Sequence, residues 1–231
     1  MARTVGDPAW RATLDRDGAI RCPAALDEAT CGQIEAALAH LPEDRAGVRL
    51  RDMVGLTPLI TAGSRIGGLA SAALGAAARP VRALLFDKSP AANWALGWHQ
   101  DRTIVVEPRA DAPGFGPWTV KAGLVQVEPP FAIIEAMLTI RVHLDPVDAT
   151  NAPLAIVPGS HRLGRLASDG LERLAATHGQ QLCLAARGDA WVYRTAIVHG
   201  SAAADPPRRR RVLQIDYAAA DLPPPLCWRG V

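Results

Sequence analysis

From Val81 to Tyr217 the chain is a succession of short apolar runs cut by Gly, Pro, Asn and Asp, and this texture limits its fold more than any other feature. The runs Val81–Asp87, Trp98–Val106, Val120–Val127, Met137–Leu144, Leu154–Val157, Gln181–Leu184, Ala190–Tyr193, Ala196–His199 and Val212–Tyr217 each have the length and apolar content of a strand. Between them only Pro130–Ala136 and Leu163–His178 read as helix. A doubly wound parallel sheet needs a helix between most pairs of strands, so the pattern points instead to a barrel or a sandwich. With no internal repeat and no low-complexity linker, the 231 residues read as a single domain, 1–231.

The segment before Val81 has a different texture. In Leu26–Leu41 the residues Ile34, Ala37, Leu38 and Leu41 recur at helical spacing, Asp27 offers a cap and Pro42 a stop. Ser64–Arg79 is a second helical stretch, closed by Pro80. Residues 1–80 are therefore expected to be a largely helical scaffold, 81–217 a β-barrel core and 218–231 a C-terminal tail. Glu107–Pro117, with three prolines and two glycines, is the longest irregular segment and is expected to act as a mobile lid.

Charge and composition exclude several classes. The formal charge of +2 depends on the adjacent Arg208, Arg209, Arg210 and Arg211; outside that run acidic residues outnumber basic ones, leaving no spread basic face for nucleic acid. The longest uncharged apolar stretch, Ile66–Ala78, is diluted by glycine and shorter than the roughly 20 residues of a membrane span. Met1–Trp10 carries early charges and no apolar stretch, so no leader is read there. Cys22, Cys31, Cys183 and Cys227 form no Cys-x-x-Cys pair, which argues against a disulfide framework or a zinc knuckle and for a cytoplasmic protein. Gly-x-Ser-x-Gly, P-loop and His-Glu-x-x-His motifs are absent from the sequence.

Two of the six histidines stand two residues before a carboxylate on a strand-like run: His99-Gln100-Asp101 and His143-Leu144-Asp145. Residues i and i+2 of a strand share a face, so each pair aims an imidazole and a carboxylate at one point. Joined by a distant histidine, such a pair makes the facial triad of non-haem iron(II) oxygenases, which leaves open positions for co-substrate and O2. His161 lies in a turn with Pro158 and Gly159 and reads as structural. His40 and His178 sit near helix C-termini, where the dipole favours a cationic ring.

The order of Trp98-His99-Gln100-Asp101, Pro158-Gly159-Ser160-His161, Gly188-Asp189, His199-Gly200-Ser201 and an arginine-led final strand resembles the phytanoyl-CoA dioxygenase family of iron(II)- and 2-oxoglutarate-dependent oxygenases, over about Asp87 to Tyr217. The resemblance implies a mainly β double-stranded β-helix (a jelly-roll, cupin-like barrel) with flanking helices. It implies His99, Asp101 and His199 as iron ligands, and an arginine about ten or eleven positions after His199 as the 2-oxoglutarate anchor. That range offers Arg209 and Arg210. Strand alternation turns only one inward, and Arg210 is favoured because Val212 and Gln214 then share its face; Arg209 and Arg211 remain the alternatives. Thr139, Lys88 or Lys121 would add a contact, and Trp94, Trp98, Trp118 and Phe115 an apolar wall. In this resemblance His143 and Asp145 precede an acidic loop and are not ligands.

The implied reaction consumes O2, converts 2-oxoglutarate to succinate and CO2 and oxidises a small molecule. Halogenating relatives lack the carboxylate at the position of Asp101, so its presence favours hydroxylation. Two other readings compete. A cupin-like metalloenzyme without 2-oxoglutarate would release no succinate, and a non-catalytic binding protein on the same barrel would give no charge-transfer band with iron(II) and 2-oxoglutarate. Substrate identity and oligomeric state do not follow from fold or ligand set.

Overall fold

The computed structural model describes residues 4–43, 45, 47–206 and 208–231. Met1–Arg3, at the head of the segment read for a leader, lie outside the described residues. The elements run α1 (Pro8–Asp17), β1 (Ala19–Cys22), α2 (Glu28–Leu38), β2 (Gly47–Leu50), α3 (Thr57–Ile60), α4 (Arg65–Leu74), β3 (Arg79–Lys88), β4 (Leu96–His99), β5 (Ile104–Glu107), β6 (Trp118–Lys121) and β7 (Leu124–Val127). They continue with α5 (Phe131–Glu135), β8 (Leu138–His143), β9 (Ala155–Ile156), α6 (Leu171–His178), β10 (Gln181–Leu182), β11 (Ala190–Arg194), β12 (His199–Ser201), β13 (Arg210–Ala218) and β14 (Cys227–Trp228).

Local chemistry sets the helix boundaries. Asp7, Asp27 and Ser64 cap α1, α2 and α4 by accepting from the backbone N–H of Trp10, Thr30 and Gly67, which satisfies donors the first turn leaves free. The strands form an antiparallel six-stranded sheet in the order β1-β11-β8-β13-β3-β2, and two four-stranded sheets, β10-β9-β12-β4 and β14-β5-β7-β6. Alternation divides the large sheet into two faces. Leu213, Ile215 and Tyr217 of β13, with Ile140 and Val142 of β8, enter a buried cluster with Trp10 and Leu14 of α1, Ile34 of α2 and Ile66 of α4. Each such side chain contributes about 1.5–3 kcal/mol by leaving water. The opposite face carries Arg210, Gln214 and Asp216 and looks toward β4 and β12 of the smaller sheet.

Several expected boundaries shift, each for a visible reason. Trp98–Val106 is two strands, β4 and β5, because the buried Gln100 side chain interrupts the ladder. Its Nε2 donates to Gly164 O and Ala196 O, and its Oε1 accepts from Leu166 N. Val120–Val127 is the β6–β7 hairpin, turned at Ala122 and Gly123, both at positive φ. Leu163–His178 has a 3-10 turn at Ser168–Gly170 and is α-helical only from Leu171, Ser64–Arg79 is helical only to Leu74, and Ala196–His199 becomes a strand at His199. The expected helical scaffold 1–80 also supplies β1 and β2, the two edge strands of the large sheet. The 218–231 tail is not free, since Cys227 and Trp228 pair with Glu107 and Val106.

The segment expected to be a lid is packed elsewhere. Ala110, Ala112 and Phe115 rest on the cluster of Val81, Val106, Val127 and Ile134, and no residue of 107–117 lines the cavity described below.

Candidate functional site

His99 closes β4 and His199 opens β12, and the antiparallel register sets them directly opposite each other. Their ring centroids lie 4.2 Å apart. Gly200 permits this close approach of the strands, because a Cβ there would meet Leu96 O at 3.2 Å and Trp98 N at 3.3 Å. Asp101 follows two residues after His99, just beyond the strand, and one ligand atom from each of His99, Asp101 and His199 lies within 4.8 Å of the others. Each imidazole holds a main-chain carbonyl with Nδ1: Gly97 O at 2.8 Å from His99 and Ile197 O at 2.9 Å from His199. Carbonyls only accept, so Nδ1 carries a proton, and in the neutral form of each ring Nε2 keeps its lone pair for a metal.

The electrostatics suit a cation. Burial, then His99, pushes His199 down to about 4, so its ring is neutral near pH 7. Burial alone would raise Asp101, but the Arg82 guanidinium holds it below the usual carboxylate range. Arg82 Nη2 stands 3.6 Å from Asp101 Oδ2, and that oxygen is buried without a hydrogen-bond donor. Arg82 is itself ion-paired through Nε with Asp216, to which Thr139 donates at 2.9 Å. Two imidazole nitrogens and an unclaimed carboxylate oxygen at one point fit a divalent transition metal.

The triad opens onto a cavity of about 310 Å³ whose far wall is the polar face of the large sheet. Arg210 and Lys88 are opposite each other in the β13–β3 register. Lys88 Nζ donates to Ser201 Oγ at 3.1 Å and to Ala202 O, while Arg210 Nη1 donates to Ala152 O. Burial and the neighbouring Arg141 push Arg210 down to about 9. Burial, then Arg210 and Arg141, push Lys88 down to about 8. Two adjacent cations, neither of them ion-paired among the described residues, make a site for an anion.

The remaining expected residues divide. Arg210, Gln214 and Lys88 line the cavity, and Lys121 and Trp94 join its wall. Arg209 does not: it points outward to Asp87 at 2.9 Å and Glu43 at 3.0 Å, because strand alternation turns it to the opposite face from Arg210. Arg211 likewise pairs with Asp145 and Glu35, and Arg208 with Asp148. Thr139 lies beneath the cavity, bonded to Asp216 and Thr195 rather than lining the wall. His143 and Asp145 do not converge on a metal: His143 is buried with both ring nitrogens unpartnered, and Asp145 is taken by Arg211. His161 meets Asp15 O at 3.2 Å. Trp98 packs beside α6, and Trp118 and Phe115 lie in the β5–β7 cluster, so Trp94 is the tryptophan of the wall. Sequence reasoning missed Arg49, Arg141 and Gln126; a cation inside the apolar run Met137–Leu144 was the available signal for Arg141.

The family model described as phytanoyl-CoA dioxygenase matches residues 14–212. Among curated proteins none matches in sequence. Among solved structures, AviO1 from Streptomyces viridochromogenes Tue57 superposes with a TM-score of 0.68 at 20% identity, covering 96% of this chain and 99% of that one. EctD from S. alaskensis, solved with 2-oxoglutarate and 5-hydroxyectoine, gives 0.66 at 19% identity over 92% of this chain and 76% of its own. The epimerase SnoN from nogalamycin biosynthesis, in complex with Fe3+, alpha ketoglutarate and nogalamycin RO, gives 0.63 at 20% identity over 93% and 85%. Each of these likenesses covers more than nine tenths of this chain, and the shared fold is the jelly-roll barrel.

Proposed function

The chain belongs to the phytanoyl-CoA dioxygenase family, and from that membership we propose that it is an iron(II)- and 2-oxoglutarate-dependent dioxygenase that hydroxylates a small molecule and releases succinate and CO2. The observation that carries this reading is the convergence of His99, Asp101 and His199 with both Nε2 lone pairs free. Solved relatives in fold support it, since EctD has been determined with bound Fe and with 2-oxoglutarate.

Bound iron(II) supplies the redox chemistry that couples decarboxylation of 2-oxoglutarate by O2 to oxidation of the substrate. The protein's part is binding, orientation and charge control. The two imidazoles keep their Nδ1 protons on main-chain carbonyls, which fixes ring orientation. Arg82, braced by Asp216, keeps Asp101 anionic and in place. Arg210 and Lys88 take the distal carboxylate of 2-oxoglutarate, with the Ser201 hydroxyl beside them. Phe86, Trp94 and Leu96 wall the cavity and limit water. The carboxylate of Asp101 would fill a ligand position on the metal, and hydroxylation is the outcome we assign. The epimerase SnoN and the carbocyclase SnoK share the fold and carry other activities. Residues 1–231 act in this reading as one domain, supported by the buried cluster common to α1, α2, α4 and the large sheet.

The test is succinate formation from 2-oxoglutarate in air with iron(II). Iron-dependent succinate release in the wild type, absent from His199→Ala, is expected. Turnover that persists undiminished in His199→Ala overturns the reading.

A further inference from the structure

The cavity wall carries more positive charge than iron and 2-oxoglutarate use. Arg82 is committed to Asp216 and Asp101, and Lys88 and Arg210 stand together at the Ser201 end. Arg49 and Arg141 remain. The register aligns Arg49, Leu84, Gln214 and Arg141 in one row across β2, β3, β13 and β8, so all four side chains leave the sheet on its cavity face. Arg141 is only 6% exposed, yet neither it nor Arg49 forms an ion pair among the described residues. Arg141 donates to the neutral Gln214 Oε1 at 2.9 Å, and its guanidinium lies 5.0 Å from the Phe86 ring, so it reaches across β13 toward β3. Arg49 stands on the next strand, β2.

A second observation concerns donors. Nε of Arg49, Nε of Arg141 and Nε2 of Gln126 are buried, line this cavity and lack an acceptor. A buried charged donor left unmet is costly, and its acceptor has to come from something in the cavity. Iron(II) and dianionic 2-oxoglutarate cancel each other's charge, so loading the metal site leaves Arg49 and Arg141 unneutralised.

We propose that the substrate is itself an oxyanion, a carboxylate or a phosphate monoester, held by Arg141 and Arg49 with Gln126. A planar guanidinium matches either group bidentately, as lysine cannot. Lys121 in the β6–β7 hairpin lines the same cavity and draws anions toward it. The assignment of this oxyanion as substrate rests on the oxygenase reading; the binding site itself does not.

The experiment titrates the protein, loaded anaerobically with iron(II) and saturating 2-oxoglutarate, with phenylacetate, phenyl phosphate and the neutral phenylacetamide, followed by calorimetry. Saturating 2-oxoglutarate keeps the probes off Arg210 and Lys88. At least one oxyanion binds, phenylacetamide does not, and the preferred oxyanion identifies the group. Arg141→Met and Arg49→Met each weaken it by about thirtyfold or more, Arg141→Lys recovers part of the loss, and all variants keep the visible band with 2-oxoglutarate. Three results overturn the proposal: no oxyanion bound, equal binding in Arg141→Met, or loss of the 2-oxoglutarate band in Arg141→Met with probe binding intact. Should the wild type show no band, the oxygenase reading fails. A titration without 2-oxoglutarate, with binding lost in Arg141→Met, then still supports the oxyanion site, and binding kept overturns it.

Discussion

Replacing Arg210 by methionine separates co-substrate binding from fold stability. The guanidinium is 2% exposed, and burial beside Arg141 lowers it to about 9. At pH 7 it is protonated both folded and unfolded, so the folded protein bears the whole penalty, which fades only as pH rises from about 9 toward the ordinary value. A shift of that size is on the order of 3–5 kcal/mol against folding at 1.36 kcal/mol per unit. Loss of the Arg210 bond to Ala152 O returns about 1–3 kcal/mol of it. Without ligand, Arg210→Met is therefore expected to melt at or above the wild-type temperature. Affinity for 2-oxoglutarate moves the other way. Removing one partner of a buried charge pair costs about 3–5 kcal/mol, and with Lys88 still facing the carboxylate the low end applies, roughly a hundredfold. Calorimetric titration with 2-oxoglutarate in the presence of iron(II), alongside thermal melts, reads both quantities. Arg209→Met, on the outer face with Asp87 and Glu43, leaves the affinity unchanged. A large affinity loss in Arg209→Met with none in Arg210→Met would refute the assignment.

Three further outcomes are expected. His143→Ala retains iron and His199→Ala does not, as measured by metal content after anaerobic loading; iron lost from the first and kept by the second contradicts the donor cluster. Lys88 grips an anion only while protonated, and burial sets it to about 8 in the free protein, so 2-oxoglutarate affinity falls as pH rises through about 8; an unaltered pH profile in Lys88→Met removes Lys88 from the site. In Gly67→Ala the new Cβ would lie 2.0 Å from the main-chain oxygen of Thr61, and this clash, about 1–3 kcal/mol, outweighs the roughly 1 kcal/mol gained in helix propensity, so the melting temperature falls; a rise shows that the α3–α4 corner yields freely.

The parts of the site that were legible are those where sequence distance and spatial distance coincide. His99 and Asp101 are two residues apart, and the face of Arg210 follows from alternation along an unbroken β13. The strand argument for His99 and Asp101 is incomplete, because β4 ends at His99 and it is the turn braced by Gln100 that carries Asp101 toward His199. Arg49 and Gln126 were not legible, since their place depends on β2 and β7 meeting the barrel through long-range pairing. The Gly47–Leu50 strand lies between the helical stretches read at Leu26–Leu41 and Ser64–Arg79, and edge pairing with β3 decides its conformation. Thr139 shares β8 with Arg141, and its hydroxyl donates to the buried Asp216. Glu107–Pro117 looked mobile by composition, yet Phe115 and the alanines bury against the β5–β7 cluster.

A crystal structure grown anaerobically with iron(II) and 2-oxoglutarate, with the metal located by anomalous scattering, tests the central claim most directly. The account predicts iron on His99 Nε2, Asp101 and His199 Nε2, and the distal carboxylate of 2-oxoglutarate on Arg210 and Lys88. Iron held by His143 or His161, or 2-oxoglutarate anchored at Arg209, would contradict it.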